Sequence, residues 1–422
     1  MEDAIKRELE HAGFEFVQAQ PRLGELRNLR PDLIGWAADA YGELVPWAVV
    51  ESKRRLDKPE LALAELARYR ELLHTVEHYL VLDGQWFRAG DGLRSIEPVD
   101  APLAPRYGGG GELRDLSLAT SLIAERLWRS ADRARTHGRS ALDAAPQIIR
   151  DTAQQGIQIA PGAFARVAPK TMFQAVRRVV MSATERGQYR ESFSLTPVLA
   201  AAMAALVGNK LSGTVLDPFA GVGTLLWSVA DRAVDEQADV NLRGNETNSL
   251  VLDVAAAIGS ASPLPVSFEA HDEYFGLVEL ADAIVTVPPF GFSFQPSGAH
   301  YELLNGHRAR DGDVANVDKI LRRLAPGGRA VILVPSGFTF RASGEEYRRF
   351  LASRFRVAAL LGLEGALQPH TSVSTVLMVI DHAEPGETFV AQLAGDWQSQ
   401  LSPGGAALGA ALDHIDGRTA RI

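Results

Sequence analysis

The sequence predicts an α/β protein organised around a ligand site where a buried strand turns into a helix. The stretch from Thr214 to Leu226 reads TVLDPFAGVGTLL, in which a short apolar run ends at Asp217 and an amphipathic helix resumes at Thr224. Gly221 and Gly223 remove side chains from the turn, so backbone N–H groups can approach a ligand closely. A lone glycine turn of this kind is common as a plain strand-to-helix connection, so it needs support from further strands.

Three more predicted strands supply that support. Leu242 to Glu246 ends in a carboxylate, at the position that takes ribose hydroxyls in nucleotide-binding α/β folds. Val266 to Ala270 is followed by His271 and Asp272, and the strand that begins at Ala281 runs into a double proline and an aromatic residue. The ordered series favours a ligand-binding α/β sheet over an isolated turn.

The series resembles the class I S-adenosylmethionine-dependent methyltransferases, and within them the adenine-specific DNA methylases of the type I modification-subunit kind, over residues 190–382. The matching motifs are Thr196-Pro197, Asp217 to Gly223, Leu324 to Pro335 and Thr371 to Ile380. This resemblance implies a Rossmann-like methyltransferase sheet that binds S-adenosyl-L-methionine. The cofactor-binding residues that it implies are Thr196, Pro197, Asp217, Pro218, Phe219, Ala220, Gly221, Gly223, Glu246 and Asp272.

The catalytic motif departs from that family at its first position. The family has Asn-Pro-Pro-Phe or Asp-Pro-Pro-Tyr, whereas this chain has Val287-Pro288-Pro289-Phe290. In the family, the first side chain and the next carbonyl accept hydrogen bonds from the adenine amine, and the aromatic ring stacks on the flipped base. Valine accepts no hydrogen bond, and the loss of one such group typically costs on the order of 100-fold in rate. The resemblance therefore implies a site that holds a base and transfers a methyl group weakly or not at all.

The amino-acid composition excludes several other classes of function. The 422 residues are 46% hydrophobic and carry a net charge of −9, so contact with DNA must come from local basic faces. The absence of cysteine excludes disulfides, zinc fingers and thiol catalysis. Because no apolar stretch is long enough to span a bilayer and the N-terminus is acidic, we expect a cytoplasmic protein that does not contact membranes.

A second cluster of chemically useful residues lies near the N-terminus. Two predicted antiparallel strands, Leu26 to Trp36 and Val45 to Lys53, would bring Asp32 beside Glu51 and Lys53. Two carboxylates and a lysine suit a divalent metal and an attacking water. The plainer alternative is a solvated charged face.

This arrangement resembles the PD-(D/E)xK nuclease motif, as in the N-terminal domain of type I restriction subunits. The resemblance extends to a helix carrying Tyr69 and to a strand, turn and strand from Tyr79 to Phe87. It implies a small α/β nuclease-like domain in which Asp32 and Glu51 hold Mg²⁺ and Lys53 positions or activates the water. Glu65 stands where that family has glutamine, and adds negative charge near the metal. No Gly-x-x-x-x-Gly-Lys-Ser/Thr motif occurs, so the ATP-driven motor of restriction subunits is absent.

The predicted organisation has five parts. They are a nuclease-like domain over 1–101, a Gly/Pro linker over 102–112, a helical domain over 113–189, a methylase-like domain over 190–382 and a C-terminal tail over 383–422. The helical connector is rich in arginine, which predicts a DNA or partner surface if it is not simply a solvated face. The tail is too short for a target-recognition domain, so sequence specificity would need a separate partner or be absent.

Together these observations favour a DNA-modification protein of restriction-modification or phage defence. Its expected ligands are S-adenosyl-L-methionine, DNA, and a separate specificity or restriction partner protein. An alternative of a different class is a non-catalytic scaffold or cofactor sensor that binds DNA or a partner. A weaker one is methylation of RNA or of a protein glutamine, since those enzymes also use a Pro-Pro-aromatic motif.

Overall fold

A computed structural model describes residues 2–26, 29–54, 59–135, 141–184, 195–270, 279–291, 301–364 and 374–417, of which 131–135, 141–142 and 184 are described by backbone alone. The chain divides into two compact units, Met1–Ala183 and Thr184–Ile422. Among the residues that the structure describes, no helix is long and apolar enough to cross a membrane.

The first unit combines a six-stranded sheet, a three-stranded sheet and five helices within its described residues. Its elements in chain order are α1 (Glu2–Ala12), β1 (Phe16–Ala19), β2 (Leu33–Ala38), β3 (Leu44–Lys53), α2 (Pro59–Leu73), β4 (Glu77–Leu82), β5 (Gln85–Ala89), β6 (Ile96–Val99), β7 (Glu112–Leu113), α3 (Leu116–Arg135), α4 (Ala141–Gln155), β8 (Ile157–Ala160), β9 (Ala163–Val167) and α5 (Pro169–Thr184).

The larger sheet runs in the order β1-β2-β3-β4-β5-β6. β2 and β3 are antiparallel, β3 and β4 are parallel, and β4 and β5 form a hairpin. The hairpin turns at Asp83 and Gly84, which have φ of 47° and 86°, as a two-residue type I′ turn requires. Ile5 and Leu9 of α1 pack against the sheet beside Trp47. This packing is part of the apolar core that covers one face of the sheet.

The predicted linker and helical domain fall within this same compact unit. The glycine run is held in place, because the N–H groups of Gly110 and Gly111 donate to Glu15 Oε2 at 2.8 and 3.0 Å. The region expected to be helical contains α3, α4 and α5, and also the sheet β7-β9-β8. Its strands are only two to five residues long, too short for a two-residue periodicity to distinguish them in the sequence.

The second unit is an α/β sheet with helices. Its elements are α6 (Pro197–Leu206), β10 (Gly213–Asp217), α7 (Thr224–Glu236), β11 (Val240–Asn245), α8 (Ser249–Gly259), β12 (Val266–Glu269), β13 (Ala281–Thr286), α9 (Gly312–Leu321), β14 (Leu324–Pro335), α10 (Glu345–Arg354), β15 (Arg356–Leu363), β16 (Thr375–Asp381), β17 (Phe389–Leu393), α11 (Trp397–Leu401) and α12 (Ala406–Ile415).

The strand order of this sheet is β12-β11-β10-β13-β14-β16-β15-β17. The first five strands in this order are parallel to one another. β16 is antiparallel to both of its neighbours, β14 and β15. From β10 the chain moves to one side through β11 and β12, then returns to the other side at β13. Ligands of open α/β sheets bind in the crevice at the carboxyl ends of the strands where the order reverses, here β10 and β13.

The region predicted to be a tail differs from that expectation. Residues 383–422 include β17, which pairs in parallel with β15, and the helices α11 and α12. A buried arginine joins this region to the sheet: Arg329 of β14 binds Asp381 of β16 at 2.6 Å and Asp416, just after α12, at 2.8 Å. Arg329 is 1% exposed, so the pairs compensate the desolvation of its charge. The final strand and helices are therefore part of the second unit.

Candidate functional site

The loop after β10 is shaped by its own hydrogen bonds. Asp217 closes the strand, and its Oδ1 accepts from the N–H of Phe219 at 3.1 Å. The N–H of Ala220 donates to the carbonyl of Asn245 at 2.9 Å, which ties the loop to the end of β11. Gly221 and Gly223 have φ of 54° and 87°, conformations that side chains disfavour. The loop that the sequence predicted is thus present at the switch point of the sheet.

Gly223 has a second constraint that the sequence did not reveal. A Cβ at this position would lie 2.6 Å from the indole of Trp227, whose Nε1 donates to the carbonyl of Val222 at 2.7 Å. The glycine therefore allows the Trp227 indole to pack tightly against the loop, and it also allows a ligand to approach the loop backbone. A substitution here would disturb the fold of the loop itself.

Glu246 follows β11, beside the glycine loop. Its Oε1 accepts from the N–H of Asn248 at 2.7 Å, and within the described residues its Oε2 forms no hydrogen bond. Its charge is near enough to Asp217 to contribute to the raised pKa of that group. A half-buried carboxylate with one available oxygen is suited to hydroxyl groups of a ligand.

The two residues predicted to precede the cofactor strand form a helix start. Thr196 is the N-cap of α6, and its Oγ1 accepts from the N–H of Leu199 at 3.3 Å. Pro197 occupies the first position of that helix, where its missing N–H costs nothing. Asp272, the remaining predicted cofactor residue, lies outside the described residues.

The Pro-Pro-Phe segment leaves the sheet directly after β13. Val287 and Phe290 are half-buried, Pro288 is buried and Pro289 is exposed. The carbonyl of Pro289 accepts from Asn316 Nδ2 at 3.1 Å, and the N–H of Gly291 donates to Asp313 Oδ1 at 3.1 Å. The aromatic ring is thus carried on a segment held at both of its neighbours.

The two loops are joined beneath the crevice. Thr286, the last residue of β13, donates its hydroxyl to Asp217 Oδ1 at 2.6 Å. Both side chains are buried, and desolvation raises the pKa of Asp217 to about 7, although the hydrogen bonds from Thr286 and Phe219 oppose that rise. The glycine loop and the Pro-Pro-Phe segment therefore share one crevice.

Sequence reasoning missed the residues that hold this segment. Asp313 and Asn316 of α9 and Arg341, after β14, are distant from the motif in sequence. The available signal was an aspartate and an asparagine at helical i, i+3 spacing, which places both on one helix face.

β2 and β3 pair antiparallel as predicted, although β2 begins at Leu33 and not at Leu26, which belongs to a 3-10 turn. Asp32 precedes β2, and its Oδ2 accepts from the N–H of Ser52 at 2.7 Å. Lys53 Nζ lies 4.0 Å from Glu51 Oε2 and 2.7 Å from Glu65 Oε2. The carboxylates of β3 and α2 therefore face the lysine from two sides.

Glu51 is the most perturbed group of this cluster. It is 6% exposed, and desolvation, followed by the charge of Asp32, raises its pKa to about 7, while Lys53 and Tyr69 oppose the rise. Glu51 Oε1 is buried and has no hydrogen-bond partner among the described residues. Desolvation also raises the pKa of Asp32. Over the described ranges, no group of three or more His, Cys, Asp or Glu side chains is arranged to hold a metal ion.

Several solved structures share features of this fold. A protein described as a class I S-adenosylmethionine-dependent methyltransferase from Listeria monocytogenes aligns at 16% identity with a TM-score of 0.55, covering 70% of this chain and 99% of that one. The type I restriction-modification methyltransferase subunit from Streptococcus thermophilus aligns at 18% identity with a TM-score of 0.46, covering 72% of this chain and 74% of that one. The type IIG restriction endonuclease BpuSI aligns at 12% identity with a TM-score of 0.41, covering 97% of this chain and 60% of that one.

The first of these alignments identifies the fold as that of the class I S-adenosylmethionine-dependent methyltransferases. The sequence pattern of the N-6 DNA methylase family matches residues 180–393, about half of the chain. The chain belongs to the N-6 DNA methylase family. A comparison with curated protein sequences finds no match.

Proposed function

We propose that the chain binds S-adenosyl-L-methionine at the carboxyl ends of β10 and β11 and presents Phe290 to an adenine of DNA. The observation that carries this proposal is the hydrogen bond from Thr286 to Asp217, which joins the glycine loop to the Pro-Pro-Phe segment. Family membership supports DNA as the substrate.

The residues of the crevice fit the cofactor. The backbone of Asp217 to Gly223 would lie against its methionine part, with Thr196 and Pro197 flanking it, and Glu246 would accept hydrogen bonds from the ribose hydroxyls. Asp272 would lie near the adenine ring. When bound, the cofactor supplies an electrophilic methyl group. Two observations support this fit: Glu246 Oε2 accepts no hydrogen bond from any described residue, and Gly221 has a positive φ.

At the target base, Phe290 would supply stacking and the Pro288 carbonyl a single hydrogen-bond acceptor. Val287 contributes no acceptor, so the adenine amine would be held on one side only. We therefore infer weak or absent methyl transfer by the natural chain. The alternative function is a cofactor-binding scaffold or sensor that holds DNA or a partner, and Val287 is the observation that favours it.

Transfer of a labelled methyl group from the cofactor to unmodified DNA tests the proposal. The assay is run with and without the products of adjacent genes, because these would include a specificity or restriction partner. Val287→Asn should raise the rate, and Val287→Leu, which is branched at Cγ as asparagine is but has no polar group, should not. Phe290→Ala should weaken base binding by about 1–3 kcal/mol. A natural chain as fast as its Val287→Asn variant would refute the inferred role of Val287.

A second candidate activity is metal-dependent cleavage of DNA by a PD-(D/E)xK-like site in the first unit. The observation that favours it is the buried Oε1 of Glu51, close to Asp32 and Lys53, which has no hydrogen-bond partner in the part of the chain that the structure describes. Mg²⁺ commonly keeps several waters and binds through one or two carboxylates together with substrate phosphates, so Asp32 and Glu51 would be its protein ligands. The ion pair between Lys53 and Glu65 would have to open for Lys53 to reach a water.

A further inference from the structure

The segment that carries Phe290 is fastened to the buried helix α9. Asp313 is 4% exposed and Asn316 is fully buried, and they lie three residues apart on one face of that helix. Asn316 donates to the carbonyl of Pro289, and Asp313 accepts from the N–H of Gly291. The two hydrogen bonds therefore bracket Phe290 on both sides of its own backbone.

Arg341 extends this arrangement from a third direction. Its Nη1 lies 3.2 Å from Asp313 Oδ2, so Asp313 binds the segment with one oxygen and Arg341 with the other. The guanidinium crosses Gly337, where an added Cβ would come within 2.5 Å of Arg341 Nε. Ser343 also donates to Asp311, the N-cap of α9, at 2.9 Å. The stretch that follows β14 is thus attached to the same helix end.

We infer that Asp313, Asn316 and Arg341 form a loop clamp that positions Phe290 independently of the side chain at position 287. The inference rests on the proposed function in treating Phe290 as the residue that stacks on the base. None of the three clamp hydrogen bonds involves Val287. The substitution at position 287 therefore removes a contact to the base and leaves the stacking surface in place.

The chemistry of the contacts supports a positioning role. Pro289 is exposed, yet its carbonyl receives a donor from a fully buried amide, and a buried polar group of that kind requires a partner. Replacing Asn316 with the smaller alanine removes the donor without adding bulk to the fully buried side of the helix. The segment would then lose one of its two anchors while the sheet keeps its core.

Fluorine NMR of the full-length chain tests the clamp directly, with para-fluorophenylalanine at position 290 in one sample and at position 389 in another. Asn316→Ala and Asp313→Ala should shift or broaden the resonance at position 290 and leave that at position 389, on strand β17, unchanged. Tyr347→Phe is the matched control, because it removes a buried 2.9 Å hydrogen bond to Asp318 of the same helix without involving the segment. Arg341→Lys should perturb the resonance less than Arg341→Met.

An unchanged resonance at position 290 in both clamp variants would overturn the inference. Equal changes at positions 290 and 389 would also overturn it, because they would indicate a general loss of packing. The measurement needs neither cofactor nor DNA, so the clamp can be established even if cofactor binding fails, and the proposed function can stand if the clamp fails.

Discussion

Thr286 and Asp217, the last residues of two adjacent parallel strands, share a buried 2.6 Å hydrogen bond. One strand leads into the glycine loop, and the other leads into the Pro-Pro-Phe segment. Because the carboxylate of Asp217 also accepts from the N–H of Phe219, this one side chain sets the geometry of both segments where they leave the sheet. The relative placement of cofactor and base in the proposed function depends on this pair.

Thr286→Val should destabilise the chain by about 1–3 kcal/mol, since a buried carboxylate loses a partner. The pKa of Asp217 is raised from 3.8 to about 7, so folding stability falls as pH rises through that window. The hydroxyl of Thr286 favours the charged form, so its removal should cost more at about pH 8 than at about pH 5. Urea unfolding at the two pH values checks this, and an equal loss at both would contradict it.

Glu51→Gln should make the chain more stable at high pH. The pKa of Glu51 is raised from 4.5 to about 7, so the folded state binds this proton more tightly and stability is lost as pH rises through that range. The free energy of unfolding of the variant should exceed that of the natural chain by on the order of 1–3 kcal/mol at about pH 8, and by little at about pH 4. Glu60→Gln, on the exposed start of α2, is the control in thermal melts. A gain of similar size at both pH values would argue against burial of a charge at Glu51.

Lys53→Ala should abolish metal-dependent cleavage of DNA while the fold survives, because Lys53 is part-exposed and its loss leaves little apolar area unpacked. Millimolar Mg²⁺ should also raise the melting temperature of the natural chain and not that of Glu51→Gln. Cleavage that persists without metal, or in Asp32→Ala, would exclude this site. We expect slow cleavage that depends on a partner, since the sequence has no motor motif.

Arg329→Met should destabilise the second unit by about 3–5 kcal/mol, because it leaves the buried Asp381 and Asp416 without the shared guanidinium. Arg349→Met is the control, since its pair with Glu345 is exposed and worth about 0.5 kcal/mol. Denaturant unfolding of both variants measures the difference. Equal stabilities would show that the final helix is not held by this network.

Local sequence patterns predicted much of the second unit. The apolar run ending at Asp217, the glycine turn and the later strands gave the sheet and the crevice, because strand periodicity and glycine conformations are local properties. The same holds for the hairpin turn at Asp83 and Gly84. The pairing of β2 with β3 placed Asp32 beside Glu51, since antiparallel register follows from a short connection.

Long-range partners could not be predicted in this way. Asn316 and Pro289 are brought together by the packing of α9, and nothing in either local segment specifies the other. The strand and helices of residues 383–417 were missed for a similar reason. β17 is short and half-exposed, and it is defined by its pairing with β15. The ion pair of Lys53 with Glu65 likewise joins a strand to a helix.

Titration calorimetry with S-adenosyl-L-methionine tests the central claim most directly. We predict saturable binding of one cofactor by the natural chain, weakened about 10-fold or more in Glu246→Gln, which loses a charge-assisted hydrogen bond to the ribose. Glu236→Gln, at the exposed end of α7, should bind as the natural chain does. Absence of binding by the natural chain, or equal affinity in Glu246→Gln, would contradict the account.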